Sequence, residues 1–484
     1  MLRAAGAFCT SLSRRYIPNP FIFAIILSAV VYLLGLLLTP SGPVEMVLHW
    51  GDGFWELLTF SMQMVAILLF GYVLASSPPA RRVVRWAASL PRTPGQAILL
   101  VTVLAIVFGL LSWGLGLIIG AIAAREVSLQ ARRRGIRVHY PLAAAAGFSG
   151  LLIFNSGFSA SAPLVVNTAD HFLQEQVGLI PISQTILTPA NLVVAVLFLV
   201  TIPLVYRAMH PAEADVEEVP DALEEEAARL REAESVTVGG TRHQGAAVDG
   251  GAGQGAPAAG PAAAATGDDE EPSTPAVRLE NSPVLTAIAV LAGLVYVGHH
   301  FATAGFDLNL NIVNLTLLVL GLIAYRTPMA YVHAVDDGIR SCGQIVLQFP
   351  FYAGIMGMMA GSGLVKVFAG WLVAVSNEHT FPLMAMLSSA VTNLFVPSAG
   401  GQWAVQGPLL IEAAQELGVD LGLTVMAFSY GDQLTNGIQP MWMLPLLGVT
   451  ALKARAVLGY TAVAMIFAFG IFALGVTLLP LVLS

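Results

Sequence analysis

The sequence predicts an all-α polytopic membrane protein made of two inverted repeats. Each repeat is expected to hold a re-entrant hairpin and a broken transmembrane helix, with about nine crossings besides the two hairpins. Three observations predict this. Of 484 residues, 56% are hydrophobic and 11% charged, and mean hydropathy is +0.76, a balance that no soluble domain of this length tolerates on its surface. Apolar segments recur along the chain and are continuous, as membrane helices require, whereas outer-membrane strands would alternate. Four of these segments are interrupted by Gly, Pro, Ser and amide residues, two in each half.

Taken in order, the apolar segments are Pro20 to Leu38, Leu57 to Ala75, Ile98 to Ala124, Pro141 to Val165, Leu192 to Tyr206, Val284 to Phe301, Ile312 to Tyr325, Ile345 to Gly363, Phe381 to Ile411, Leu423 to Leu447 and Val457 to Leu483. In the N-terminal stretch MLRAAGAFCTSLSRRYIPNP no A-x-A cleavage site follows an apolar run, so a retained signal anchor is expected. Between the fifth and sixth segments the pattern stops. Residues 208–281 are acidic first (Glu213, Asp215, Glu217, Glu218, Asp221, Glu224), then Gly/Ala/Pro-rich, and read as a disordered linker between an N-terminal membrane repeat, 1–207, and a C-terminal one, 282–484. Cys9 and Cys342 lie far apart without a CxxC partner, which suggests neither a disulfide frame nor a metal site.

Basic residues stay cytoplasmic in short loops, so the arginines set the topology. With the N-terminus inside, Ile98 to Ala124 and Phe381 to Ile411 must each enter and leave on one face. The clusters Arg81 to Arg92 and Arg125 to Arg137, together with Arg207, Arg326, Arg340, Lys453 and Arg455, then all fall inside, and only Lys366 falls outside. This places the linker in the cytoplasm and the C-terminus outside. The halves also match at a constant offset: Asp52-Gly53 with Asp337-Gly338, Gln63 with Gln348, and Ser112 to Gly116 with Pro397 to Gly401, all at +285. Asn19-Pro20 matches Ser282-Pro283 at +263, and the missing 22 residues suggest Ile312 to Tyr325 as one inserted span. An odd number of crossings between the hairpins would make the repeats inverted, as in many secondary carriers.

The polar breaks carry the expected chemistry. They are Ser112-Trp113-Gly114-Leu115-Gly116, Asn155 to Pro163, Val396 to Pro408 and Tyr430 to Pro440. In hydrocarbon an unpaired N–H or C=O costs several kcal/mol, so irregular backbone survives there only inside protein or beside a wet cavity. A broken helix frees N–H donors where it restarts and carbonyls where it stops, giving an anion site and a cation site. Pro163 and Pro440 suit the first turn of a restarting half-helix. Substrate contacts are expected from Ser112, Trp113, Gly114, Asn155, Ser156, Gly157, Ser159, Ser161, Ser398, Gly400, Gly401, Gln402, Gln433 and Asn436. No Lys or Arg lies in the breaks, which suits a small monoanion held by hydroxyls, amides and backbone. Asp432 is their only acid, and a charge at that depth costs at least about 2.5–3.5 kcal/mol, so it should be protonated, paired with a cation or facing water. Ion coupling is assigned to Asp432 with Ser156 and Asn436; the other reading has Asp432 capping a half-helix or bonding to Gln433 and Asn436. Sodium at the hairpin tips is left open as a coupling ion. There is no Walker A loop, HExxH or GxSxG, so an enzyme is not expected, and neither is a nucleic-acid partner.

At these residues the chain resembles the bacterial short-chain fatty acid transporter family, a branch of the ion transporter superfamily. The resemblance is carried by Trp50-Gly51-Asp52-Gly53-Phe54-Trp55, Pro78 to Ser89, Trp113-Gly114 with Arg125-Glu126, Gly157-Phe158-Ser159 with Pro163-Leu164, Thr327 to Tyr331, Gln348 to Ile355, Val396-Pro397-Ser398 with Gly400-Gly401, Gln406-Gly407-Pro408, and Tyr430-Gly431 with Gln433. It implies cation-coupled symport, with H⁺ or Na⁺, of short monocarboxylates such as butyrate or acetoacetate across the bacterial inner membrane. A passive anion channel or uniporter is the alternative, and a homodimer is left open.

Overall fold

The computed structural model describes residues 20–225, 274–394, 396, 398–439 and 442–483. Residues 1–19, which precede the apolar run of the expected anchor, the Gly/Ala/Pro-rich part of the linker, Pro397 and Pro440 lie outside them. No strand occurs among the described residues. The first half contains α1 (Pro20–Leu38), α2 (Pro43–Gly53), α3 (Leu58–Ser76), α4 (Pro78–Ala87), α5 (Pro94–Leu111), α6 (Trp113–Arg133), α7 (Tyr140–Gly147), α8 (Ser161–Val166) and α9 (Pro189–Ala208). The second contains α10 (Pro283–Ala304), α11 (Leu310–Tyr325), α12 (Pro328–Ile339), α13 (Gly343–Ser362), α14 (Leu364–Ala374), α15 (Phe381–Asn393), α16 (Ala399–Leu417), α17 (Leu421–Thr435), α18 (Leu444–Thr450) and α19 (Ala454–Thr477). Among the described residues, seven helices are long and apolar enough to cross a membrane. This is a multi-pass membrane protein.

Proline sets many of the starts. α2, α4, α5, α9, α10, α12 and α15 each carry Pro in the first turn, where its missing N–H costs no helical bond. Side-chain caps reinforce several: Thr93 Oγ1 accepts from Gln96 N, and Thr188 Oγ1 from Asn191 N.

The halves are related by an exchange of partners. α1 and α2 of the first half pack on α13 of the second, while α11 and α12 pack on α3. The contacts are close: a Cβ on Gly53 would stand 2.8 Å from Gly357 Cα, and one on Gly338 2.8 Å from Tyr72 Cδ1. α3 and α13 run antiparallel, since Val65 O lies beside Cys342 Sγ while Phe60 meets Phe349. Gly53 and Gly338 meet the later turns of α13 and α3, so α2 and α12 sit at opposite ends of the bundle. That is the inversion expected from the +285 offset.

The position of the inserted span is corrected. α11, not α10, is the counterpart of α1, because it packs on α3 as α1 packs on α13. The extra helix is therefore α10, which packs on α11, with Gly293 against Val319, and keeps Thr286 as its buried residue. The Asn-Pro/Ser-Pro match misled because both pairs merely start a helix.

α5 and α6 form a hairpin. Gly109 lies against Gly116, and a Cβ on Gly120 would stand 3.2 Å from Ala105 Cβ; each pair sums to 225, so the arms are antiparallel about Ser112. α15 and α16 form the second, with Gln402 Nε2 donating to Ser389 O at 2.8 Å and Gln406 Nε2 to Ser388 Oγ at 3.0 Å. Both segments thus double back on themselves. The two segments read as broken are broken: α7 gives way to short 3₁₀ turns before α8, and α17 to a 3₁₀ turn before α18.

The linker reading is corrected at its start. Residues 213–224 are placed against the end of α6 as a strap. Tyr140 N donates to Glu217 O at 2.8 Å, Glu217 N to His139 Nδ1 at 3.0 Å and Arg132 Nη1 to Val219 O at 2.6 Å, while Arg137 pairs with Glu218 and Arg132 with Asp221 and Glu224. Val219 and Leu223 are buried against Leu129 and Tyr140. An acidic composition reads as solvated, but two apolar residues among the acids give this stretch something to bury.

Candidate functional site

The hairpin tips and broken segments converge on one cavity. A small cavity of about 30 Å³ lies between them, lined by Trp113 and Ser398, Ala399 and Gly400 from the tips, Leu151, Phe154 and Ser161 from the first broken segment, and Asp432, Asn436 and Trp442 from the second. Met64 of α3 and Ile345 and Phe349 of α13 close the remaining side.

Each tip is a helix N-terminus capped by serine. Ser112 precedes α6 and Ser398 precedes α16, an offset of +286. Ser398 Oγ accepts from Gly401 N at 3.3 Å, whereas the first N–H of α6, Trp113 N, is capped from across the molecule by Ser159 Oγ at 2.8 Å. The first N–H groups of α16, at Ala399 and Gly400, belong to the set that a helix leaves without intrahelical acceptors, and both residues line the cavity. α16 is 19 residues long, so its N-terminus also carries the positive end of a full dipole.

The broken segments are locked together by amides whose orientation is fixed by backbone partners. Asn155 Oδ1 accepts from Ser161 N at 3.0 Å, which turns Asn155 Nδ2 onto Asp432 Oδ2 at 2.7 Å. Gln433 Oε1 accepts from Asn155 N at 2.8 Å, and its Nε2 reaches Ser156 Oγ at 3.4 Å. Asn436 Nδ2 donates to Leu151 O at 3.1 Å, while Asn393 Nδ2 reaches Asp432 O and Asn436 Oδ1. Asp432 is 1% exposed. Its side chain therefore bonds across the repeats to Asn155, and not to Gln433 or Asn436 beside it.

Three lining residues carry a buried polar atom with no partner: Trp113 Nε1, Ser161 Oγ and Asp432 Oδ1. Buried polar groups are almost always bonded, so unpaired atoms around one cavity mark places for a ligand. Two are donors and one belongs to a carboxyl group. No Lys, Arg or His lines the space.

Of the residues read from the sequence, Trp113, Ser161, Ser398, Gly400, Asp432 and Asn436 line the cavity. Asn155, Ser156 and Gln433 form the layer behind it. Ser112 is turned toward Gly71, Gly114 packs on Leu68, and Gly157 packs on Leu110 O. Ser159 caps α6. Gly401 lies against Tyr352, and Gln402 is turned into its own hairpin. Sequence reasoning missed the apolar wall and Trp442, whose ring meets Trp113 at 5.6 Å. It also missed Asn191, buried in α9, which donates to Ser156 O at 3.0 Å and accepts from Tyr430 at 2.9 Å. A polar residue within an otherwise apolar helix was the available signal for Asn191 and for Asn393.

The family described as Short chain fatty acid transporter matches residues 1–241 and 262–479. The chain belongs to this family. The transporter is 39% identical over 479 residues to a protein of Escherichia coli strain K12 provisionally named a short-chain fatty acid transporter, covering 99% of this chain and all of that one. A relative of the same provisional name in Haemophilus influenzae is 34% identical over 482 residues, covering 98% and 99% of the two chains. Among solved structures, the chain is similar to MtrF of Neisseria gonorrhoeae, described within a class of antimetabolite efflux pumps (15% identity, 96% and 97% covered, TM-score 0.48). It is also similar to the YdaH transporter of Alcanivorax borkumensis, described as having an unusual topology (16% identity, 96% and 98% covered, TM-score 0.45). The family is one of transporters, not enzymes.

Proposed function

We propose that the transporter is a secondary symporter that takes up short-chain monocarboxylates such as butyrate or acetoacetate with a cation. On this reading the hairpins re-enter the bilayer from opposite faces, the protein lies in the bacterial inner membrane with its N-terminus and linker cytoplasmic, and the cavity is opened to each side in turn. The observation that carries the reading is Asp432 Oδ1, unpartnered in a cavity that also presents the N-terminus of α16. A bound carboxylate accepts from Ala399 and Gly400 N–H, Ser161 Oγ and Trp113 Nε1. It then shares a low-dielectric space with Asp432 and with no cationic side chain, and two unscreened negative charges at such separations repel by several kcal/mol. Binding therefore needs a positive charge to arrive with the anion.

The amide orientations favour a proton. Asp432 Oδ2 faces an N–H donor, while the side-chain oxygens of Asn155, Gln433 and Asn436 already accept N–H bonds; sodium wants several free oxygens. A protonated Oδ1 instead donates to the substrate carboxylate. Uptake of labelled butyrate into proteoliposomes tests this. Accumulation above equilibrium under an inward proton gradient, indifferent to sodium, is expected. Accumulation driven by sodium alone would replace the proton, and gradient-insensitive equilibration would make the protein a channel or uniporter.

A further inference from the structure

The cavity is divided by the origin of its walls. Every polar lining atom comes from a hairpin tip or a broken segment, whereas α3 and α13 contribute only Met64, Ile345 and Phe349. On the carboxylate reading, the head of a bound acid lies against Ala399, Gly400 and Ser161, which leaves α3 and α13, with no polar lining residue, for its tail.

The wall residues differ in stiffness. Phe349 is 1% exposed and is braced by Phe60, ring centroids 5.6 Å apart, and by Tyr352 at 6.2 Å. Its Cζ lies 3.3 Å from where a Cβ on Gly400 would stand, and Phe60 Cζ lies 2.8 Å from that point. On one side the ring is bounded by the tip of the second hairpin. Met64 has three rotatable bonds and a polarisable sulfur, and adapts to its surroundings. Ile345 is half-buried.

We propose that Phe349, braced by Phe60 and backed by Ile345 and Met64, is the specificity-determining stop that sets the longest acyl chain the transporter accepts. The proposal rests on the carboxylate reading above. A rigid end wall discriminates between homologous acids at about ten- to two-hundredfold per methylene, whereas a pliable wall repacks and discriminates weakly.

The test is inhibition of labelled-butyrate uptake in proteoliposomes by unlabelled acids from acetate to octanoate. With the native protein, inhibition is expected to fall sharply beyond one chain length. Phe349→Ala should move that limit by one or two carbons toward longer acids, raising the relative affinity of hexanoate over butyrate at least tenfold, with butyrate still transported. Ile345→Ala, at a half-buried position away from the hairpin tip, should shift the profile in the same direction, and it keeps the test open if Phe349→Ala does not fold. Unchanged length profiles in folded Phe349→Ala and Ile345→Ala proteins would overturn the wall. If the native protein transports butyrate with no length limit at all, the wall is overturned while the carboxylate reading stands. If no acid of any length is transported, the carboxylate reading falls, and the wall with it.

Discussion

Asp432 gives one oxygen to the fold and keeps the other for the cavity. Asp432→Asn keeps the shape and removes the titratable proton, so concentrative butyrate uptake should fall at least about tenfold, an effect of ~1.4 kcal/mol, while exchange of internal for external butyrate survives. Unchanged concentrative uptake would remove Asp432 from the coupling step. Gly157 makes a different kind of demand: a methyl there would meet Leu110 O at 2.1 Å. Gly157→Ala should destabilise the protein by about 1–3 kcal/mol, the range for overpacking a core, seen as a lower detergent melting temperature with the length profile of any residual transport unchanged. At this scale the sequence was legible wherever polarity stood against an apolar background, as at Asn155, Ser398 and Asp432. It was silent about Phe349 and Met64, because an apolar residue lining a cavity and one facing another helix look alike in a one-dimensional pattern.

Among the elements, the antiparallel hairpins were readable, since the arginine clusters on either side of α5 and α6 already suggested a chain that doubles back. α2 lies between the first two apolar segments and escaped notice, because 11 residues with a polar face give no membrane-span signal. The strap is where energetics decide between two descriptions. Its ion pairs are at least partly exposed, with Arg137 and Glu218 side chains at 50% and 29%, so each contributes about 0.2–1 kcal/mol. Burying Val219 and Leu223 contributes about 1.5–3 kcal/mol each. Leu223→Asp should therefore release the strap more completely than Glu218→Ala. A Glu-specific protease in detergent is the readout, with faster cleavage within 213–224 expected in the first variant and little change in the second. The reverse order would make the strap an electrostatic device.

The whole molecule is held by the exchange between its halves: α1 and α2 complete α13, and α11 and α12 complete α3. The cavity sits where this exchange meets the two hairpin tips, so the alternating access proposed above would take the second tip away from Phe60. Cysteines replacing Gly400 and Phe60, in a background with both native cysteines replaced (Cys9→Ser and Cys342→Ser), should be joined by a short bifunctional thiol reagent with loss of transport. Full activity after complete cross-linking would mean that the tip does not move. The exchange also puts the first half under a time constraint. Gln63 of α3 bonds Asn311 at 2.9 Å across a sequence separation of 248 residues. At about 5–20 residues per second of synthesis, α3 stands in the bilayer for roughly 12–50 s before its partners emerge, with an amide facing lipid and its packing surface bare.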